Sequence, residues 1–272
     1  LCSWYSQSWH IFMKTISVCL ATFNEQDNLH HALGSVVEWV DEIVAVDGGS
    51  TDDTVKKLKE YGNKVRIIHT DNPPMFHINK QKAINEAKCD WILQLDADEA
   101  VSEQLRREIQ KIVHEDSEQS TNDAYWIARK NWFVGRFLSK GGQYPDYTIR
   151  LYRRGVAHLP CKSVHENVTV NGSVGYLKHD LLHYADPTFS RYLTRWNRYT
   201  SLDAHDAHTS GHKIGMISSF VVKPLVTFVS LYIRHRGYVD GFSGFVFALF
   251  SALRHMVIYI KYTELKRANK SV

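Results

Sequence analysis

From Thr15 onward, short apolar runs alternate with segments of helical pattern, and this alternation constrains the fold more than any other feature of the chain. "TISVCLA", "EIVAVD", "KVRIIH" and "DWILQLD" read as strands. Between them, "NEQDNLHHALGSVVEWV", "STDDTVKKLKEYG" and "HINKQKAINEAK" read as helices, the second with Ser-Thr-Asp at its start and Gly62 at its end. Strands that are nearly all apolar, each followed by a helix, predict an α/β fold. Its sheet is mostly parallel and covered by helices on both faces, as in Rossmann-like folds. Ligands of such sheets gather at the carboxyl ends of the strands. Asn24, Asp47 and Asp96 all fall at strand ends, so one crevice should collect them.

The motifs narrow what that crevice can hold. The first strand runs into "TFNEQDN" rather than a GxGxxG turn, and no GxxxxGK[ST] is present, which excludes a dinucleotide fingerprint and a P-loop. Instead, "VDGGSTDDT" spans Val46 to Thr54. There Asp47 can accept hydrogen bonds from a ribose or a base edge. Gly48 and Gly49 let the backbone come close, and the next helix offers free N–H groups. A plain turn with a helix cap is the competing reading of this stretch alone. The run "DWILQLDADEAV" ends an apolar strand in Asp96, Asp98 and Glu99, carboxylates that repel one another unless something offsets their charge. The net charge of +4 is too small to argue for nucleic acid. Cys2, Cys19, Cys89 and Cys161 form no CxxC pair, which favours reduced thiols in a cytoplasmic protein.

"ATFNE", "VDGGSTDDT" and "LQLDADE" together resemble the sequential motifs of family 2 inverting glycosyltransferases, which have the GT-A fold. The likeness is greatest to the bacterial lipopolysaccharide core-biosynthesis branch, through the "LDADE" form, "RLYRR", "VHE" and "GYVDGFSGF", and it runs from about Thr15 to Tyr262. The resemblance implies a hexosyltransferase, glucose being the expected hexose. It would use a nucleotide diphosphate-sugar, with UDP as the expected nucleotide, and a saccharide acceptor. A polyprenyl phosphate or other glycolipid acceptor is the alternative, and a non-catalytic nucleotide-sugar-binding protein is the alternative of another class. The implied donor-binding set is Thr22, Asn24, Glu25, Asp47, Gly49, Ser50, Lys80, Lys82, Asp96 and Arg150.

Charge grows on the leaving diphosphate as the glycosidic bond breaks, and a divalent cation held by carboxylates offsets it. The family implies magnesium or manganese. Asp98 is the expected direct ligand, Asp96 reaches the ribose or the metal through water, and Glu99 caps the following helix. Arg150 alternates with apolar neighbours and is expected to face a phosphate, whereas a solvated helix face competes for Lys80 and Lys82. An inverting enzyme also needs one carboxylate base for the attacking hydroxyl. Glu166 in "SVHENV" is the first candidate, with His165 beside it to complete a metal shell, and Asp146 in "QYPDYT" is the second.

Residues 1–12 read as an upstream extension without a signal-peptide pattern, 13–185 as the catalytic domain, and 186–272 as a C-terminal amphipathic helical region. In the last of these, apolar runs are broken at Lys223-Pro224, Gly237 and Arg254, and Phe242 to Leu253 falls short of the roughly 20 residues of a span. The expected arrangement is helices apposed to an anionic membrane surface, peripheral on the cytoplasmic face of the bacterial inner membrane; a helical subdomain packed on the sheet is the first competing one, and a true span the second.

Overall fold

The computed structural model describes residues 14–73, 75–114, 122–161, 168–211 and 213–268. In chain order its elements begin with β1 (Ile16–Thr22), α1 (Leu29–Val36), β2 (Glu42–Asp47), α2 (Thr54–Glu60), β3 (Val65–His69), α3 (His77–Glu86) and β4 (Trp91–Gln94). β5 (Glu99–Val101), α4 (Glu103–His114), β6 (Ala124–Phe133), β7 (Arg136–Phe137) and β8 (Asp146–Arg153) follow. Then come β9 (Ala157–His158), β10 (Thr169–Val170), β11 (Val174–Tyr176), β12 (Leu181–Asp186), α5 (Phe189–Thr209), α6 (Lys223–Phe228) and α7 (Gly241–Ala268). Two compact units are present: Leu1–Ile127 with Thr148–Asp180, and Ala128–Tyr147 with Leu181–Val272. The second therefore adds residues 128–147 and 181–185 to the C-terminal helical region expected from the sequence.

In the first unit, β1 lies between β2 and β4 and is parallel to both, and β2 pairs in parallel with β3. β1 is buried almost throughout, because its two neighbours cover its edges and the helices cover its faces. The register sets Thr22 against Asp47 and Cys19 against Gln94, so the loops after β1, β2 and β4 leave the sheet at one end. β8 runs antiparallel to β4, with Leu93 opposite Leu151; one step further along, Gln94 meets Arg150. Val44, Val46, Ile92, Ile149, Tyr152 and Leu159 form the core with Ala83 and Ile84 of α3. α1 contributes Leu29, Ala32, Leu33 and Val36, the i, i+3, i+4, i+7 face of an amphipathic helix. Gly62 does end the second helix, at φ +84, although α1 is shorter than its apolar pattern suggested. Cys19 is buried, Cys89 and Cys161 are half-buried, and no disulfide joins these three.

In the second unit, β12 pairs in parallel with the later residues of β6, and Phe133, Leu138, Tyr192 and Val246 form a separate small core. α5 opens on Thr188, whose hydroxyl accepts from the Arg191 N–H. Lys261 of α7 reaches Asn197, Thr200 and Ser201 of α5, and Arg254 donates to Asp203. The "GYVDGFSGF" stretch has a structural explanation. Its Asp240 is 1% exposed and accepts from the backbone N–H of Ser139 at 3.0 Å and of Lys140 at 2.8 Å, and from the Ser139 hydroxyl at 2.7 Å. Gly244 faces the Gly237 carbonyl so closely that no Cβ fits. Asp240→Ala, which removes the buried acceptor that those donors share, is expected to cost about 2–4 kcal/mol of unfolding free energy. Guanidinium denaturation, followed by the Trp fluorescence of this unit, measures it.

Candidate active site

The site in the first unit begins with two loops that brace each other. After β1 the chain turns at Asn24, held at φ +54 in a region that asparagine tolerates better than most residues. The Asn24 side-chain oxygen accepts from Thr51 N–H at 2.8 Å, and its backbone N–H donates to the Ser50 hydroxyl at 2.9 Å. Glu25 N–H donates to the Thr54 hydroxyl at 2.8 Å, and the Gln26 side chain accepts from Asp53 N–H at 2.9 Å. The residues singled out after β1 and β2 thus meet in one place, and they do so first of all as each other's partners.

Asp47 closes this arrangement. It is 1% exposed, and its carboxylate accepts from Gly49 N–H at 3.1 Å and Ser50 N–H at 3.0 Å, and from the hydroxyls of Ser50 and Thr22. Gly49 takes φ +80, which a side chain would resist. A Cβ on Gly48 would press against Asn72 and Asn79 at 3.3 Å. The two glycines are therefore needed to form the loop as well as to expose its backbone.

The acidic run sits at the end of β4, and its charges are offset by a buried arginine. Arg150 donates from Nη2 to Asp96 at 2.7 Å and to Glu99 at 2.7 Å, and from Nη1 to Gln94. Lys80 of α3 pairs with the other Asp96 oxygen and lies 4.9 Å from the Phe76 ring centroid. Burial works to raise the Asp96 carboxyl, but the Arg150 and Lys80 charges beside it override burial and hold it well below its ordinary value of 3.8. The same carboxylates push the Arg150 guanidinium further up against the effect of its own burial.

Two expectations change here. Glu99 does not cap a helix: it is fully buried in β5, α4 starts at Glu103, and its carboxylate serves Arg150 and the Asp96 N–H. Arg150 is enclosed by carboxylates, so its influence on any phosphate passes through Asp96. Lys82 is two residues beyond Lys80, about 200° around α3, and so lies on a different side of it. Asp98 is half-buried and close enough to His31 of α1 to favour its charged form, although burial and His30 keep that imidazole below its usual value. Gln94 and His31 were not anticipated. A lone Gln in an apolar strand was a usable signal for the first, whereas nothing local marks the second.

On the acceptor side, the described residues carry only part of the expected set. His165 and Glu166 lie outside them. Asp146 opens β8 in the second unit, where Arg129 holds its carboxylate from Nη2 at 2.7 Å and Nε at 3.1 Å. Asn131 approaches Asp146 at 3.4 Å and meets His183 at 2.6 Å. Among the described residues, no three His, Cys, Asp or Glu side chains converge as a complete metal cage would.

Residues 17–165 match the family described as Glycosyl transferase family 2. An uncharacterized glycosyltransferase of Rickettsia felis is 30% identical over 273 residues, covering 96% of this chain and 93% of that protein. The lipopolysaccharide core biosynthesis glycosyltransferase LpsC of Rhizobium meliloti is 27% identical over 243 residues, covering 88% of each. Among solved structures, the mannosyltransferase PcManGT of Pyrobaculum calidifontis, in complex with GDP-Man and Mn2+, is similar with a TM-score of 0.55 at 9% identity, covering 93% of this chain and 88% of that one. That similarity is one of fold, and the fold is GT-A.

Arg150→Met leaves Glu99 without its cation and Asp96 with Lys80 alone, and is expected to destabilise the protein by about 3–5 kcal/mol in urea unfolding. It should also bring acid unfolding to higher pH. The depressed Asp96 group stabilises the fold above its ordinary value of 3.8 and loses that effect only as pH falls through the lower folded value. Removing Arg150 raises the folded value, so the loss begins earlier on acidification.

Proposed function

Because the chain belongs to glycosyl transferase family 2, we propose that it moves a hexose, with inversion, from a nucleotide diphosphate-sugar to a saccharide acceptor in lipopolysaccharide core assembly. The observation that carries this reading is the gathering of Asn24, Asp47, Gly49, Ser50, Asp96 and Asp98 at the ends of three parallel strands. The name of the LpsC relative supports the acceptor class. Glucose with a uridine nucleotide is the working choice of donor, and a lipid-linked acceptor is the second reading.

The bracing of the two loops holds the backbone after β2 in one conformation before the donor arrives, so little ordering is left to be done on binding. Gly49 and Ser50 then border the nucleoside, and Asp47 fixes their N–H groups. Asp98 and Asp96 supply hard oxygen donors two residues apart, which fits magnesium or manganese. Such ions are often held by one or two carboxylates together with substrate phosphates. When bound, the cation offsets the charge that builds on the leaving diphosphate. Asp98 would hold it, because the Asp96 oxygens are already shared between Arg150 and Lys80. Lys80 is then placed to exchange Asp96 for a donor phosphate.

In the reaction an acceptor hydroxyl attacks the anomeric carbon from the face opposite the leaving group. The bond from that carbon to the phosphate oxygen breaks, and the hydroxyl proton passes to a carboxylate. Glu166 is assigned that role and Asp146 is the runner-up, its carboxylate being engaged by Arg129. A sugar-nucleotide-binding protein without catalysis would bind donor and neither hydrolyse it nor transfer from it.

Asp98→Asn should abolish the manganese-dependent part of nucleoside diphosphate binding, while the thermal midpoint stays near that of the wild type. Calorimetry with and without manganese reads the effect, and unchanged affinity would remove the metal assignment. Glu166→Gln should keep donor binding and lower transfer about a hundredfold or more. Normal transfer by that variant, together with loss in Asp146→Asn, would move the base to Asp146.

A further inference from the structure

The helical stretch from Met216 to Arg234 turns its large aliphatic side chains outward. It consists of wide π-type turns at Ser218–Val222 and Val229–Arg234 on either side of α6. Ile217, Val221, Leu225, Val229 and Ile233 recur every four residues, a spacing that such turns bring nearly into line. All five are exposed, Ile217 at 71% and Leu225 at 62%, and Val222 and Val226 widen the stripe. The inward positions include Ser219, at 1% exposure, and Pro224. A helix folded for water would place these groups the other way round. Phe242 near the start of α7 is 72% exposed, three residues before Phe245, which packs on Phe228 and Tyr232.

Charge identifies what covers this face. From Ala207 to Val239 the chain has no Asp or Glu, while Lys213, Lys223, Arg234 and Arg236 are all exposed. Two cations lie at one end of the stripe, one before its start, and Lys223 beside its middle, where a long aliphatic stem can carry the ammonium up to a headgroup. Ile217 to Ile233 covers about 24 Å at helical rise, less than the roughly 30 Å of a bilayer's hydrocarbon core, so this helix can lie in the interface but not cross it. The continuous helical stretch Gly237–Ala268, α7 with the turn before it, is long enough and over its most apolar part apolar enough to cross a membrane, with only 28% of that part buried. However, it is joined along its length to α5 through Arg254–Asp203 and through Lys261 with Asn197. A spanning α7 would carry those ionic and polar groups of α5 into hydrocarbon with it.

We propose that the face formed by Ile217, Val221, Leu225, Val226, Val229 and Ile233, with Phe242, inserts shallowly into an anionic lipid surface, α6 lying in the membrane plane. This assignment stands apart from the transferase reading, since it uses no residue of the donor site. It would bring the enzyme to an acceptor anchored in lipid.

Flotation of the full chain with vesicles tests it, comparing phosphatidylcholine alone with phosphatidylcholine mixed with phosphatidylglycerol. The wild type should float with the mixed vesicles and partly release at high salt. Leu225→Glu/Val229→Glu should lower the bound fraction about tenfold or more, with donor hydrolysis and thermal midpoint unchanged. Should that variant melt early, Ile217→Ser/Leu225→Ser gives the same comparison with a milder change. Lys223→Gln/Arg234→Gln/Arg236→Gln should erase the preference for phosphatidylglycerol. Wild type remaining at the bottom of a low-salt gradient, or either apolar variant floating as well as the wild type, would overturn the proposal. So would a wild-type dimer in light scattering that Leu225→Glu/Val229→Glu converts to monomer, which would assign the face to a second copy of the chain. Loss of donor hydrolysis in the wild type alone would count against the transferase reading and leave the lipid surface standing.

Discussion

Burying a guanidinium at the end of a sheet is costly unless carboxylates surround it, and Arg150 is surrounded by Asp96 and Glu99 with the Gln94 amide alongside. That cluster ties β8 to β4 and β5 at the end of the strands where the site forms. It also keeps Asp96 ionised at the mouth of an apolar strand, which the mutual repulsion of Asp96, Asp98 and Glu99 would otherwise oppose. The division of labour among the three acids follows. Glu99 is inside and neutralises the arginine, Asp96 is shared between the arginine and Lys80, and Asp98 is left at the rim near His31. The Arg150 Nε, buried without a hydrogen-bond partner, indicates that the cluster is held by charge pairing rather than by complete hydrogen-bond satisfaction.

The loops above it obey the same economy of partners. Asp47 gives its carboxylate to Gly49, Ser50 and Thr22, and Asn24 gives its amide to Thr51. These contacts make the polar residues at the strand ends part of the scaffold before they are part of a binding surface. A loop built in this way loses little conformational freedom on meeting a ligand, so more of the contact energy is available for affinity. Substitutions at Asp47 or Asn24 would therefore act on loop shape.

The second unit distributes its polar and apolar groups differently. Its interior contacts include ionic and polar groups, with Asp240 under the Ser139–Lys140 turn and Lys261 among the α5 hydroxyls, while much of its aliphatic surface faces out. In water that distribution gives up hydrophobic stabilisation; against lipid it recovers it. The basic, acid-free stretch around α6 supplies the electrostatic counterpart.

Much of this was readable from residues alone, because it depends on local pattern. Apolar runs of strand length alternating with helices establish the parallel sheet, and polar residues at run ends mark the candidate site at one end of it. The three motifs establish the family. Tertiary structure decided the pairings. That Glu99 neutralises Arg150, that Arg129 holds Asp146 and that Asp240 anchors a turn all join residues far apart in sequence, and no local period records such partners. It likewise decided which way the stripe from Ile217 to Ile233 faces. A repeat of four apolar residues is the same string whether it meets a core or a bilayer; only the packing of the opposite face, through Ser219, Pro224 and the aromatic contacts to α7, turns it outward.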